Sequence, residues 1–301
     1  MEHLKQIGTV IRRTKSFYYV DIGENKPRFC RIRGKLFSEN TYENKIAVGD
    51  KVEVDQSSNK NMGLICRVLP RNTKFSRRGK TGESEQVLVS NADTLLMVTS
   101  IKTPAFKGGL VDRFLVAASC SGLETFLILN KIDLANSKEI KPITELYSSL
   151  GCNVIPTSVY ESKGLTKLKK LIKNRTSILS GHSGVGKSSL ISALYPNWGI
   201  RIGKISNKSG KGQHTTIMPE MFRLPQGGFI IDTPGIRTFE PVVQKKDLDK
   251  HYKDFSPYIG NCKFKGCTHR HEPMCNVKEA VIDQEITQKR YKSYCNLYES
   301  L

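Results

Sequence analysis

Residues 178–190 read ILSGHSGVGKSSL. A short apolar run is followed by Gly181, four spacers, then Gly186, Lys187 and Ser188, and a second apolar stretch begins at Leu190. The spacing G-x4-G-K-S between a strand-like and a helix-like segment predicts a loop whose backbone N–H groups curl around phosphates, with the positive end of the next helix aimed at them. Gly181, Gly184 and Gly186 permit the curl, and His182, Ser183 and Val185 fill the positions between them. Lys187 is expected to reach the β- and γ-phosphates of a nucleotide, the Ser188 hydroxyl to bind Mg²⁺, and Ser189 to belong to the same nucleotide-binding stretch.

Such a loop does not choose a base, and no base-reading motif follows it. Downstream, DTPG (232–235) closes the apolar strand GGFIID. Asp232 is placed there to hold Mg²⁺ through water, and Gly235 to offer an N–H to the γ-phosphate. The base-reading element lies upstream instead, as NKID (130–133) at the end of TFLILN. Asp133 can accept two hydrogen bonds from guanine N1 and N2, which adenine does not supply, so ATP is rejected strongly. Asn130 supports the loop, the Lys131 stem can lie over the purine, and PTS (156–158) brings backbone N–H groups of Thr157 and Ser158 near guanine O6. A small-molecule kinase would share the phosphate loop but not NKID.

Around these motifs the chain alternates strand and helix. TLLMVTSIK, ETFLILN, NVIPTS and RTSILSG read as strands; VDRFLVAASCSG, ITELYSSLG and GLTKLKKLIKN read as helices. MPEMFRLPQGGFIID reads as a hairpin turning at Gln226-Gly227-Gly228. This predicts a mainly parallel sheet covered by helices. The motif order is base, phosphate, magnesium, whereas ordinary small GTPases run phosphate first. The same sheet results if the chain ends have been moved, a circular permutation.

Residues 1–70 read as short strands with turn signals, the pattern of a small closed barrel. Phe17, Tyr18, Tyr19 and Phe29 are interleaved with Arg12, Arg13, Arg31 and Arg33, as on surfaces that stack bases and hold phosphates. Strand alternation should place half of those aromatics in the core. A basic, turn-rich connector (71–85) leads to the nucleotide domain (86–236), and 237–301 form a helical, Cys/His-rich domain. Lys and Arg number 48 against 28 acidic residues, a net charge of +20, which favours a nucleic-acid partner through counterion release. The opening MEHLKQIGTVIRR lacks the apolar run of a secretory signal, and no apolar run is long enough to span a membrane, so a cytosolic protein without membrane attachment is expected.

Within NCKFKGCTHRHEPMC (261–275), Cys262, Cys267 and Cys275 with either His269 or His271 offer four ligands for a closed, tetrahedral and therefore structural Zn²⁺ site. One further position is unusual. Many GTPases carry a Gln after the switch glycine to orient the attacking water. Here that residue is Ile236, so another group must act. His214 in GKGQHTT (210–216) is the candidate, beside Thr215 and Thr216, one of which should bind Mg²⁺.

The motif order, the barrel and the Cys/His cluster together make the chain similar to the circularly permuted GTPases of the RsgA type, over essentially its whole length. The resemblance implies an N-terminal OB-fold, a permuted α/β P-loop GTPase domain and an α-rich zinc domain. It also implies hydrolysis of GTP to GDP and phosphate, with Mg²⁺, by a cytoplasmic monomer bound to the 30S subunit and its 16S rRNA late in maturation. His214 matches the histidine used by this family, and His269 matches the family's zinc spacing. A GTP-regulated RNA-binding module in which hydrolysis is incidental would carry the same motifs. Because the motif order is permuted, the segment after Gly235 runs directly into the C-terminal domain, which loss of the γ-phosphate is expected to move.

Overall fold

A computed structural model describes residues 5–33, 46–55, 62–79, 85–198, 218–233 and 239–301. The first five strands are β1 (Lys5–Arg13), β2 (Tyr18–Asp21), β3 (Arg28–Ile32), β4 (Lys51–Asp55) and β5 (Gly63–Val68). They close into a barrel because β1 pairs antiparallel with both β2 and β4, while β3 runs parallel to β5. Alternate residues point inward along each strand. Val10, Val20, Cys30, Val52, Val54 and Ile65 are thereby fully buried in one core. This is the five-stranded order of an OB-fold.

The next pair, β6 (Lys74–Arg78) and β7 (Glu85–Ser90), forms a separate antiparallel sheet. The stretch that reads as a turn-rich connector therefore contains a strand, which was hidden because Phe75 is its one apolar residue. Phe75 is fully buried and stacks on Phe239 at 5.2 Å. Barrel and hairpin are locked together at residues 46–50. Asp50, fully buried, takes two 2.7 Å hydrogen bonds from Arg71 and one from the Ala47 N–H. Gly49 has φ +96°, and a Cβ there would lie 1.9 Å from the Ser90 carbonyl oxygen, so a side chain cannot be accommodated.

The remaining strands are β8 (Thr94–Ser100), β9 (Glu124–Asn130), β10 (Asn153–Pro156), β11 (Thr176–Gly181), β12 (Glu220–Arg223) and β13 (Phe229–Asp232). Their order is β10-β9-β8-β11-β13-β12, parallel except for β12, and Arg12 of β1 pairs with Glu220 so that the barrel continues this sheet. Helices α1 (Gly108–Ser121) and α2 (Ser137–Ser149) cover one face; α3 (Leu165–Ile172) and α4 (Lys187–Leu194) cover the other. Burial on both faces explains the unbroken apolar runs of β8 and β9. A capping box starts α2, with Asn136 Oδ1 accepting from the Glu139 N–H and Glu139 Oε2 from the Asn136 N–H.

The C-terminal region reads as one helical tract but forms α5 (Asn276–Ile282) and α6 (Gln288–Ser300). They separate because Gln284 takes φ +64° and Thr287 caps α6 through the Arg290 N–H. Among the described residues, no helix is long and apolar enough to cross a membrane.

Candidate nucleotide site and metal centre

The loop from Gly181 to Ser188 joins β11 to α4 at the carboxyl edge of the sheet, where open α/β sheets bind ligands. Two glycines are dictated by contact. A Cβ on Gly181 (φ +149°) would lie 2.2 Å from the Val98 carbonyl oxygen, and one on Gly186 (φ +94°) would lie 2.4 Å from Asn130 Nδ2. Lys187 opens α4 and donates from Nζ to the carbonyls of Gly181 at 2.8 Å and His182 at 3.1 Å. Burial lowers its pKa, and the Asp232 carboxylate partly restores it.

The NKID turn leans against this loop. Asn130 is buried; its Nδ2 donates to the Val185 carbonyl at 2.9 Å, and its Oδ1 accepts from Thr157 Oγ1 at 3.1 Å. Lys131 takes the left-handed conformation (φ +60°), which turns its ammonium to the carbonyls of Gly184 and Thr103, each at 2.7 Å. The Ile132 N–H donates to the Thr157 carbonyl at 3.2 Å. The buried Ser158 hydroxyl donates to Asp133 Oδ1 at 2.5 Å, orienting an exposed carboxylate. Asn130 and Lys131 thus touch the loop across more than 50 residues of chain, with Thr157 bonded to Asn130 and Ser158 to Asp133 on the same turn.

Asp232 ends β13, in register with Leu179 of the parallel neighbour β11. Burial pushes its carboxyl up to about 6 against the pull of Lys187. A buried carboxylate beside the phosphate loop suits a divalent cation, which restores ionisation. Ser188, in the first turn of α4, belongs to the same edge. His214, Thr215, Thr216, Gly235 and Ile236 lie outside the described residues. Sequence reasoning missed Thr103 and Lys107. They belong to the segment after β8, and Lys107 Nζ sits 3.3 Å from His182 Nε2. A carbonyl and a lysine carry no motif, so no sequence signal points to them.

Farther along, Cys262, Cys267, His269 and Cys275 bring four ligand atoms within 4.8 Å of one another. A tetrahedral Zn²⁺ with ordinary bond lengths separates two sulfurs by about 3.8 Å and a sulfur from a nitrogen by about 3.6 Å. Cys262 Sγ is 3.8 Å from Cys275 Sγ and 3.6 Å from His269 Nδ1. The donor set fits, and the cluster can hold a metal ion. His269 Nε2 faces Asp249 Oδ2 at 3.4 Å, the outer carboxylate that fixes a ligand imidazole. His271 is exposed and outside the cluster. Glu272, also missed from sequence, pins the ligand loop by accepting from the N–H groups of Thr268, Arg270 and His271 and from Thr268 Oγ1. Burial opposes its ionisation, but the Thr268 and Arg270 donors outweigh it and hold the carboxyl at about 2.

On the barrel, Tyr18 is in the core, whereas Phe17, Tyr19 and Phe29 are half-buried. Phe17 stacks on Phe29 at 4.5 Å, the Arg31 guanidinium lies 4.6 Å from the Phe17 ring and that of Arg12 lies 5.2 Å from the Tyr19 ring. Three of the four aromatics thus lie outside the buried set, more than alternation alone predicts.

Comparison with known proteins agrees with this architecture. The family model described as RsgA GTPase matches residues 68–241, and that described as RsgA N-terminal domain matches residues 7–65. The small ribosomal subunit biogenesis GTPase RsgA of Chlorobaculum tepidum is 40% identical over 303 residues, covering 98% of this chain and 97% of that protein. Among solved structures, YjeQ from Thermotoga maritima superposes with a TM-score of 0.75 at 31% identity, covering 99% of both chains. YloQ, described as a circularly permuted GTPase, gives 0.70 at 27% identity, covering 99% of this chain and 96% of that one. With its NKID turn preceding its G-x4-G-K-S loop in sequence and touching it in space, the chain belongs to the RsgA family of circularly permuted GTPases, enzymes that hydrolyse GTP.

Proposed function

We propose that the protein acts on the small ribosomal subunit, binding 16S rRNA of the 30S particle and hydrolysing GTP to GDP and phosphate late in subunit maturation. The observation that carries the nucleotide part is the Asn130 amide bonded to the Val185 carbonyl, which ties the guanine-reading turn to the phosphate loop. In this reading Asp133 takes guanine N1 and N2, Asn130, Lys131, Thr157 and Ser158 shape that pocket, and Gly181–Ser189 with Gly235 receive the phosphates. Ser188, Thr216 and, through water, Asp232 would hold Mg²⁺, which supplies charge neutralisation at the phosphates. His214, beside Thr215, orients the attacking water. The Cys262, Cys267, His269 and Cys275 set holds one structural Zn²⁺.

The ribosomal part rests on the name of the relatives, on the net charge of +20 and on the arginine-flanked aromatics of the barrel. Barrel (1–70) and zinc domain (237–301) grip RNA on either side of the GTPase domain (86–236), with 71–85 joining the barrel to the GTPase domain, in a cytoplasmic monomer. The test is GTP turnover with purified 30S, 50S and 70S particles in parallel. Stimulation by 30S alone is expected; equal stimulation by 50S, or none by 30S, removes the small subunit as partner.

A further inference from the structure

The segment 101–107 between β8 and α1 forms a wall behind the phosphate loop. Thr103 shares the Lys131 ammonium with Gly184 of the loop, and Ser100 Oγ fixes the Pro104 carbonyl at 2.8 Å. Between this segment, β8 and the loop lies a small cavity of about 20 Å³, bordered by Val98, Pro104, Leu110 and Phe114, with His182 and Lys107 among its polar lining residues. Beside the Lys131 bridge, a second side-chain link joins the segment to the loop, Lys107 Nζ to His182 Nε2 at 3.3 Å.

Its chemistry is fixed by its partners. His182 Nδ1 lies 3.0 Å from the Ser183 carbonyl oxygen, which only accepts, so Nδ1 carries the proton. Nε2 faces an ammonium, which only donates, so Nε2 is the acceptor. A neutral imidazole thus bridges Lys107 and the backbone of Ser183. Lys187 binds the carbonyls of Gly181 and His182 from the other side. His182, the second residue of the loop, is thus engaged by two lysines, Lys187 at its carbonyl and Lys107 at its ring.

We infer that Lys107, acting through His182, is a positioning residue that sets the phosphate loop to receive the nucleotide phosphates. The inference rests on the proposed nucleotide site. Lys107 supplies order and not chemistry, so its loss weakens binding and spares the hydrolytic step.

The experiment is titration of the full-length protein with fluorescent GDP and a non-hydrolysable GTP analogue, together with KM and kcat for GTP. Lys107→Met is expected to raise Kd and KM roughly three- to tenfold with kcat within about twofold. Lys107→Arg should restore most of the affinity. His182→Gln keeps an acceptor and a donor and should lose less affinity than His182→Leu, which should match Lys107→Met. In the Lys107→Met/His182→Leu double variant the two losses should not add. Additive losses mean that Lys107 acts on the nucleotide itself and overturn the inference, as does an unchanged Kd in Lys107→Met or a kcat that falls with KM unmoved. Failure of the wild type to bind either nucleotide, or undiminished binding by Lys187→Ala, would instead remove the nucleotide site.

Discussion

Asp232 carries an unfavourable burial at the nucleotide edge. An ordinary aspartate carboxyl titrates near 3.8, and burial raises this one to about 6. Between those values the folded chain keeps a proton that the unfolded chain releases, so its contribution to stability falls as pH rises through that window and stays low above it. In nucleotide-free and magnesium-free protein, Asp232→Asn should therefore stabilise the fold at about pH 7.5, on the order of 2 kcal/mol, and the gain should fade towards about pH 4. Thermal melts of both proteins across that range check the sign; a gain that persists unchanged at acid pH, or a loss at neutral pH, contradicts it. Lys187 shows the complementary cost, since burial disfavours its charge as well. The two charges offset each other, and a phosphate-bound cation would complete the arrangement.

Elements position these residues, and some elements announce themselves better than others. β8 and β9 are legible because strands buried on both faces are largely apolar, and β9 and β11 because they run into the NKID and G-x4-G-K-S spacings. The turn at Gln226-Gly227-Gly228 is legible for a different reason: Gly227 and Gly228 both take positive φ, and the Leu224 N–H donates to the Gly228 carbonyl at 3.0 Å. β6 is not legible, because its one apolar side chain finds Phe239 only through the tertiary fold. The barrel is legible from its short strands and turn signals, but the strand pairing that closes it is not, since the parallel pairing of β3 with β5 joins strands that residues 33–62 separate. The wall at 101–107 works through carbonyl oxygens, which every residue type supplies. Of the candidate sites, the NKID and G-x4-G-K-S motifs stand out in the sequence and meet in space through Asn130 and Val185, whereas Lys107 and Glu272, which brace neighbouring loops, carry no motif.

At the scale of the molecule, α1 links the nucleotide edge to the C-terminal domain. Its N-terminus follows Lys107, and its Asp112, buried, accepts from Tyr147 at 3.1 Å and from Arg290 of α6. Arg290 is also bidentate to Asp254 at 2.8 and 2.9 Å, lies over the Tyr252 ring and remains charged despite its burial because two carboxylates surround it. From α6, Tyr291 and Tyr294 donate to the carbonyls of His269 and Thr268 in the metal loop. Removing one partner of such a network leaves buried charge uncompensated, so Arg290→Met should cost about 3–5 kcal/mol in denaturant unfolding, and adding Asp112→Asn should recover part of it. A loss below about 1 kcal/mol would show that the charges reach water. The account as a whole depends on a permuted chain folding its guanine-reading turn and its phosphate loop into one crevice. The most direct measurement is the affinity of wild type and Asp133→Asn for GTP, ATP and xanthosine triphosphate, whose ring carries a carbonyl where guanine carries its amino group. Wild type should prefer GTP to ATP by at least about a hundredfold, and Asp133→Asn should lose GTP while gaining the xanthine nucleotide, because the amide donates where the carboxylate accepted. Equal uptake of GTP and ATP by wild type, or a variant that still prefers GTP, would contradict it.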